Sequence, residues 1–269
     1  MSISEKVTLG QYVPADSPVH SLDPRTKILS TLVLLFALFG VRDPRFFLGW
    51  GVLLAFIVFL SRVSLRTVLR SVRPVLWLLV FTVLLHALFT PGEAILRFHF
   101  IKVSREGLHM AALMGVRLVL LVAFAGLLTL TTSPMELADG MESLMSPLAR
   151  VRFPAHEMAM MMTIALRFIP TLLEETDRIL KAQISRGADL EGGGVVKRLR
   201  AFVPVLVPLF LIVFQRAEDL ALAMESRCYV GGVGRTRMRP LRWCLEDWVA
   251  LGLMSVSVAG LLFLERAVG

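Results

Sequence analysis

Two arginines stand 41 residues apart in the same local setting. Ala182-Gln183-Ile184-Ser185-Arg186-Gly187 and Ala223-Met224-Glu225-Ser226-Arg227-Cys228 both read Ala-x-x-Ser-Arg followed by a small residue. A guanidinium is a planar fork that holds a carboxylate through two parallel hydrogen bonds, and a small neighbour lets a partner come close. If each segment closes a helix, the arginine also meets the unsatisfied carbonyls and partial negative charge of that end. Gly187 can take the left-handed cap, whereas Cys228 keeps the site small without glycine's freedom. Two readings stay open: ordinary basic helix caps, or two docking points for acidic grooves. Glycines follow both segments, at Gly192-Gly193-Gly194 and at Gly231, Gly232 and Gly234.

Other constellations carry less. Neither glycine run ends in the Gly-Lys-Ser/Thr of a phosphate-binding loop. His156-Glu157-Met158-Ala159-Met160 lacks the second histidine of a zinc helix. Met158, Met160, Met161 and Met162 read as an adaptable packing surface rather than a copper site. His20, His86, His99 and His109 are scattered, and no nucleophile–base set or carboxylate pair stands out. Asp23-Pro24-Arg25 reads as an N-cap, a proline at the first helical position and a positive flank; a direct partner contact is the alternative. No metal site, cofactor or catalytic residue is expected.

The elements that must position these residues follow from composition. The 269 residues are 56% hydrophobic and 19% charged, with a mean hydropathy of +0.71. Soluble domains average about 45–50% and about 25%. A soluble enzyme or a disordered chain is excluded, and an all-α integral membrane protein is expected. The first 26 residues are polar, so no secretory signal peptide is expected. The net charge of +8 and pI near 10.3 reflect basic cytoplasmic segments rather than nucleic-acid binding. Cys228 and Cys244 have no metal spacing and are expected as reduced cytoplasmic thiols.

Five uncharged runs predict membrane helices: Ile28–Val41, Phe46–Ser61, Pro74–Gly92, Leu118–Met135 and Trp248–Leu264. The fourth helix should begin near Ser104, a good N-cap with Glu106 in its first turn, which puts Arg117 inside it. With a cytoplasmic N-terminus, 22 of the 29 Lys and Arg fall inside and 6 outside, with Arg117 within the membrane. A sixth run, Ala201–Gln215, would spoil that asymmetry if it crossed, so it is expected to dip without spanning. The predicted organisation is a cytoplasmic segment 1–27, a four-helix membrane part 28–135, a cytoplasmic coupling-helix module 136–246 and a last membrane helix 247–269. Within the module, Ser133-Pro134-Met135-Glu136 opens a short helix with a capping box. Pro154 opens a long helix carrying Met158, Met161, Ala165, Phe168, Leu172, Thr176, Ile179 and Gln183 as one stripe, kinked at Pro170. A second long helix runs from about Ala201 to Arg227.

These features together resemble the T component of energy-coupling factor transporters, the EcfT/CbiQ family, over nearly the whole chain. Ser17-Pro18-Val19-His20-Ser21-Leu22-Asp23-Pro24-Arg25-Thr26-Lys27 is similar to the family's entry motif. Ser185-Arg186-Gly187 and Ser226-Arg227-Cys228 match its two Ala-Arg-Gly motifs, with Ser for Ala in both and Cys228 for Gly. Ala188-Asp189-Leu190-Glu191 and Gly231-Gly232-Val233-Gly234-Arg235-Thr236-Arg237 are similar to the segments that follow. The resemblance implies a non-catalytic subunit of an ATP-driven uptake transporter in the cell membrane. Its implied partners are two ABC-type ATPase subunits and a membrane subunit that captures a vitamin or transition-metal ion. Arg186 and Arg227 inherit the docking role. The rival reading is a secondary transporter, which predicts inverted repeats and ionisable residues at mid-membrane; Arg117 is the sole firm candidate. A membrane enzyme lacks a catalytic set. The substrate stays open, with the GGVGRTR segment leaning towards a shared vitamin system.

Overall fold

The computed structural model describes residues 12–41, 43–91, 94–98, 101–147, 154–188, 192, 194–231 and 241–268. The chain forms two compact units, one of residues 10–140 with 241–269 and one built on 141–240.

The first unit is the apolar body. After a single turn, α1 (Pro18–Ser21), come α2 (Pro24–Gly40), α3 (Phe47–Ser61), α4 (Leu65–Val72), α5 (Leu76–Phe89) and α6 (Arg105–Thr131). The helix α7 (Pro134–Met145) follows, and α10 (Leu245–Val268) returns to this unit from the far end of the chain. Caps set the starts. The Asp23 carboxylate accepts the Arg25 N–H at 2.9 Å, and the Ser104 hydroxyl accepts the Gly107 N–H at 2.9 Å. Ser133 and Glu136 cap each other's backbone N–H at 3.3 and 3.1 Å, a capping box as expected.

Lipid chains are as apolar as leucine, so close approach and polar bonds hold such helices together. Trp50, Leu38, Phe124, Leu120 and Val258 form the main core of α2, α3, α6 and α10, with Trp50 edge-on to Phe124 at 6.5 Å. A β-branched and Ala/Leu cluster of Val58, Val68, Val72, Ala123 and Leu127 joins α3, α4 and α6. At Gly126 an added Cβ would lie 2.7 Å from the Ser71 hydroxyl, so glycine is what lets α6 approach α4. Much of the remaining apolar surface is uncovered; Trp77 is 80% and Phe59 81% exposed. In water such a surface would drive association; in a bilayer it is the lipid-facing side.

Arg117 lies inside α6, as expected, and is accommodated: one guanidinium nitrogen donates to the Val41 carbonyl, an orphan at the end of α2. Lys27 is 7% exposed, and its ammonium donates to the carbonyls of His20 (2.8 Å) and Thr131 (3.2 Å), capping the ends of α1 and α6.

Several expectations are corrected. The all-α class stands, with one small antiparallel hairpin added to it, β1 (Ala94–Phe98) with β2 (Ile101–Ser104), paired Phe98 to Ile101 and Arg97 to Lys102. The run is too short for a helix, and Ile95, Phe98, Ile101 and Val103 favour extended backbone. The fourth membrane helix ends at Thr131 rather than Met135, because Ser133 starts a new cap. Among the described residues five helices are long and apolar enough to cross a membrane, the expected number but not the same five. Leu199–Ser226 qualifies, whereas α2 has only 17 residues. Length and composition do not register the charge asymmetry from which 201–215 was read as not spanning.

The second unit is dominated by α8 (Ala155–Ser185) and α9 (Val195–Ser226), of 31 and 32 residues. Each is about 47 Å long at 1.5 Å per residue. Pro154 caps α8 rather than opening it, and α9 starts six residues before Ala201. The predicted stripe is not a buried face at its start, since Met158, Met161 and Ala165 are exposed. His156, read against a zinc motif, instead bonds the Glu142 carboxylate at 3.0 Å.

Candidate functional site

Both arginine segments close their helices with the same hydrogen-bond pattern. After α8, Gly187 donates to the Ile184 carbonyl at 2.9 Å and Ala188 to the Gln183 carbonyl at 3.0 Å. After α9, Cys228 donates to the Glu225 carbonyl at 2.8 Å and Tyr229 to the Met224 carbonyl at 3.0 Å. These paired bonds are the Schellman cap, which needs a left-handed residue after the C-cap. Gly187 supplies it with φ +85 and Cys228 with φ +57. Cysteine therefore keeps the geometry that glycine gives, at a steric cost of about 1–2 kcal/mol.

Those caps tie up the backbone and leave the arginines free. Arg186 and Arg227 occupy matching C-cap positions and are exposed, and among the described residues neither forms a salt bridge. The serines beside them turn inward: Ser185 donates to the Lys181 carbonyl and Ser226 to the Ala223 carbonyl, each at 3.0 Å. Each end thus presents one uncommitted guanidinium on a rigid helix terminus beside a small residue. Such an end suits a carboxylate-lined groove. Among the described residues no three His, Cys, Asp or Glu side chains gather as for a metal.

The two ends are held on one scaffold but not together. Glu175 of α8 bonds Arg216 of α9 at 3.2 Å. Eight residues further along α8, the Gln183 amide donates to the Pro204 carbonyl at 3.3 Å, twelve residues back along α9. The helices therefore run antiparallel here, and their C-termini point opposite ways. The Pro204 contact has a local cause. Pro208 has no N–H, so the carbonyl four residues before it loses its helical partner, and Gln183 takes the vacancy. Segments 189–191 and 232–237, which resemble the family's following motifs, lie outside the described residues.

The N-terminal motif is a fastening. The Asp23 N–H donates to an Asp247 carboxylate oxygen at 2.8 Å, and the other oxygen of Asp247 accepts the Cys244 N–H at 2.9 Å. Arg25 reaches the Leu241 carbonyl at 3.4 Å and lies 3.8 Å from the Asp23 carboxylate. Pro24 is buried in the first turn of α2. Asp247, Glu175 and Arg216 are the contributors not singled out from sequence. The separation Glu175–Arg216, equal to that of the two arginines, was the available signal. Beside this fastening, His20 Nε2 faces the Val13 carbonyl at 3.1 Å and Nδ1 faces the Ser17 hydroxyl at 2.6 Å. Burial, with Lys27 adding to it, holds the His20 pKa below its ordinary 6.5.

Apolar helices of membrane-crossing length define a membrane protein, and the long-helix unit adds two matched arginine ends. A family model described as cobalt transport protein, CbiQ, matches residues 15–239. An energy-coupling factor transporter transmembrane protein, EcfT, of Acidaminococcus fermentans is 49% identical over 263 residues, 97% of each chain. That of Heliobacterium modesticaldum is 49% identical over 258 residues, 96% of each chain. The Bacillus subtilis protein of the same name is 44% identical over 264 residues, covering 98% of this chain and 99% of its own. The chain belongs to the CbiQ/EcfT family.

Proposed function

We propose that this chain is the transmembrane coupling subunit of an ATP-driven uptake transporter of the energy-coupling factor type. It joins two ABC-type ATPase subunits on the cytoplasmic side to a membrane subunit that captures a vitamin or transition-metal ion. Hydrolysis belongs to the ATPases; this chain transmits their movement. The protein lies in the cell membrane with its N-terminus inside, as the 22-to-6 charge distribution favours. The exposed apolar residues Met158, Met161, Phe202, Leu206 and Phe210 along α8 and α9 suit contact with lipid or an apolar membrane partner.

The observation that carries the reading is the pair of identical caps, each presenting a free arginine, on opposite ends of one antiparallel helix pair. Two ends facing apart fit two separate partners. Arg117 argues against a secondary transporter, because its guanidinium caps α2 within the body. The test is copurification of the ATPases with an Arg186→Glu/Arg227→Glu chain, alongside substrate uptake in cells. Loss of both, with the variant chain still inserted in the membrane, is expected. Retention of both at the wild-type level overturns the docking assignment.

A further inference from the structure

The bridge between α8 and α9 has a placement that neither helix needs for its own stability. Arg186 follows Glu175 by 11 residues, and Arg227 follows Arg216 by 11. The bridging residues are 41 apart in sequence, like the two docking arginines. In an internal repeat of two helices, Glu175 and Arg216 are thus the same position, with opposite charge. At 1.5 Å per residue, each docking arginine lies about 16 Å along its helix from the bridge, in opposite directions. The bridge sits midway between the two docking ends.

Resting on the docking reading above, we infer that Glu175 and Arg216 are a positioning pair. They pin α8 to α9 at the midpoint and so set the spacing of the two docking ends during coupling. Two polar cross-links between these helices stand out among the described residues. Gln183 to Pro204 is neutral, 3.3 Å long, and lies towards the Arg186 end. Glu175 to Arg216 is charge-assisted and shorter. Two points fix register and angle. Losing one point weakens the hold on the angle, and each arm amplifies a small rotation into a displacement at its arginine. Arg178 also approaches Glu175, at 3.6 Å, but it lies on the same helix and is 73% exposed, so it cannot join the two.

The experiment measures spacing and coupling separately. Spin labels at Ala182→Cys and Ala223→Cys, in a Cys228→Ser/Cys244→Ser chain reconstituted in nanodiscs with and without the ATPases, report the distance distribution between the ends. Uptake per ATP hydrolysed is read on the same variants without labels. Glu175→Gln and Arg216→Met should each widen the distribution at least about twofold and lower uptake per ATP at least about threefold, while ATPase copurification stays within about twofold. The charge exchange Glu175→Arg/Arg216→Glu, made with Arg178→Gln so that the new arginine faces no like charge, should restore both. Arg178→Gln alone should change neither. Unchanged width in the single variants, or an exchange no better than the singles, overturns the pin. Failure of the docking reading shows differently, as copurification that ignores Arg186 and Arg227, and the distribution without ATPases still decides whether the bridge sets the spacing.

Discussion

The body and the long-helix unit handle charge in opposite ways. In the body, three ionic groups lie inside and are consumed by backbone bonds. Asp247 is 3% exposed and accepts two backbone N–H groups, Lys27 caps two helix ends, and Arg117 caps a third. In the long-helix unit, Arg186 and Arg227 are outside and uncommitted, at caps already complete without their side chains. Burying a charge without partners costs several kcal/mol, so a charge in the interior of the body must do structural duty. An exposed arginine costs little and keeps its bonding capacity for another molecule. Asp247, Lys27 and Arg117 are therefore committed to the fold, whereas Arg186 and Arg227 remain available.

Mutations should break along that line. The largest effect falls on Arg186→Glu/Arg227→Glu: ATPase copurification drops at least about a hundredfold, from two lost contacts of about 1.5–3 kcal/mol each. Thermal stability of the isolated chain in detergent should not move. Asp247→Ala should do the reverse. Two buried N–H groups lose their acceptor, costing about 2–4 kcal/mol, and the melting temperature falls while any folded protein still binds ATPases. A melting temperature unchanged by Asp247→Ala contradicts the fastening.

The caps sharpen the comparison further. Gly187→Ala should destabilise by about 1 kcal/mol, since nothing crowds the position and only the backbone angle resists. Cys228→Gly should stabilise by a similar amount, because it relieves a left-handed cysteine. Chemical or thermal melts of the two variants should shift in opposite directions. The smallest effect is at His20. Its folded pKa lies below 6.5, so its neutral form supports the fold above that value, and the support fades as pH falls towards the folded pKa. Melting temperatures should decline from pH 7 to 5, and His20→Asn should flatten the decline.

Local signals were legible where one residue does the work. Asp23, Ser104 and Ser133 start helices because a short polar side chain can reach its own backbone, and all three do so. Hydropathy located the apolar runs of α3, α5, α6 and α10 for the same reason. Nothing local links Asp23 to Asp247, 224 residues away, because a backbone N–H has no residue preference to read. The first residues of α9 include Lys197, Arg198 and Arg200, so the uncharged run begins only at Ala201. The Met stripe was sound as a pattern but silent on what covers it. Periodicity shows that a face is apolar, and Met158 and Met161 are uncovered by this chain. At the candidate site, the arginines and small neighbours were legible, while the left-handed Cys228 was not, since cysteine seldom adopts that backbone.

That cysteine also makes the second docking end chemically addressable. Cys228 is exposed and unpaired, one residue from Arg227, whereas the other end has no thiol. With Cys244→Ser, a maleimide reports on one end alone. On the proposed docking, its reaction rate in the assembled transporter, compared with the isolated chain, would read out how long that end stays covered. The position costs the helix its easiest cap and gives the experimenter a probe of one helix end of the two.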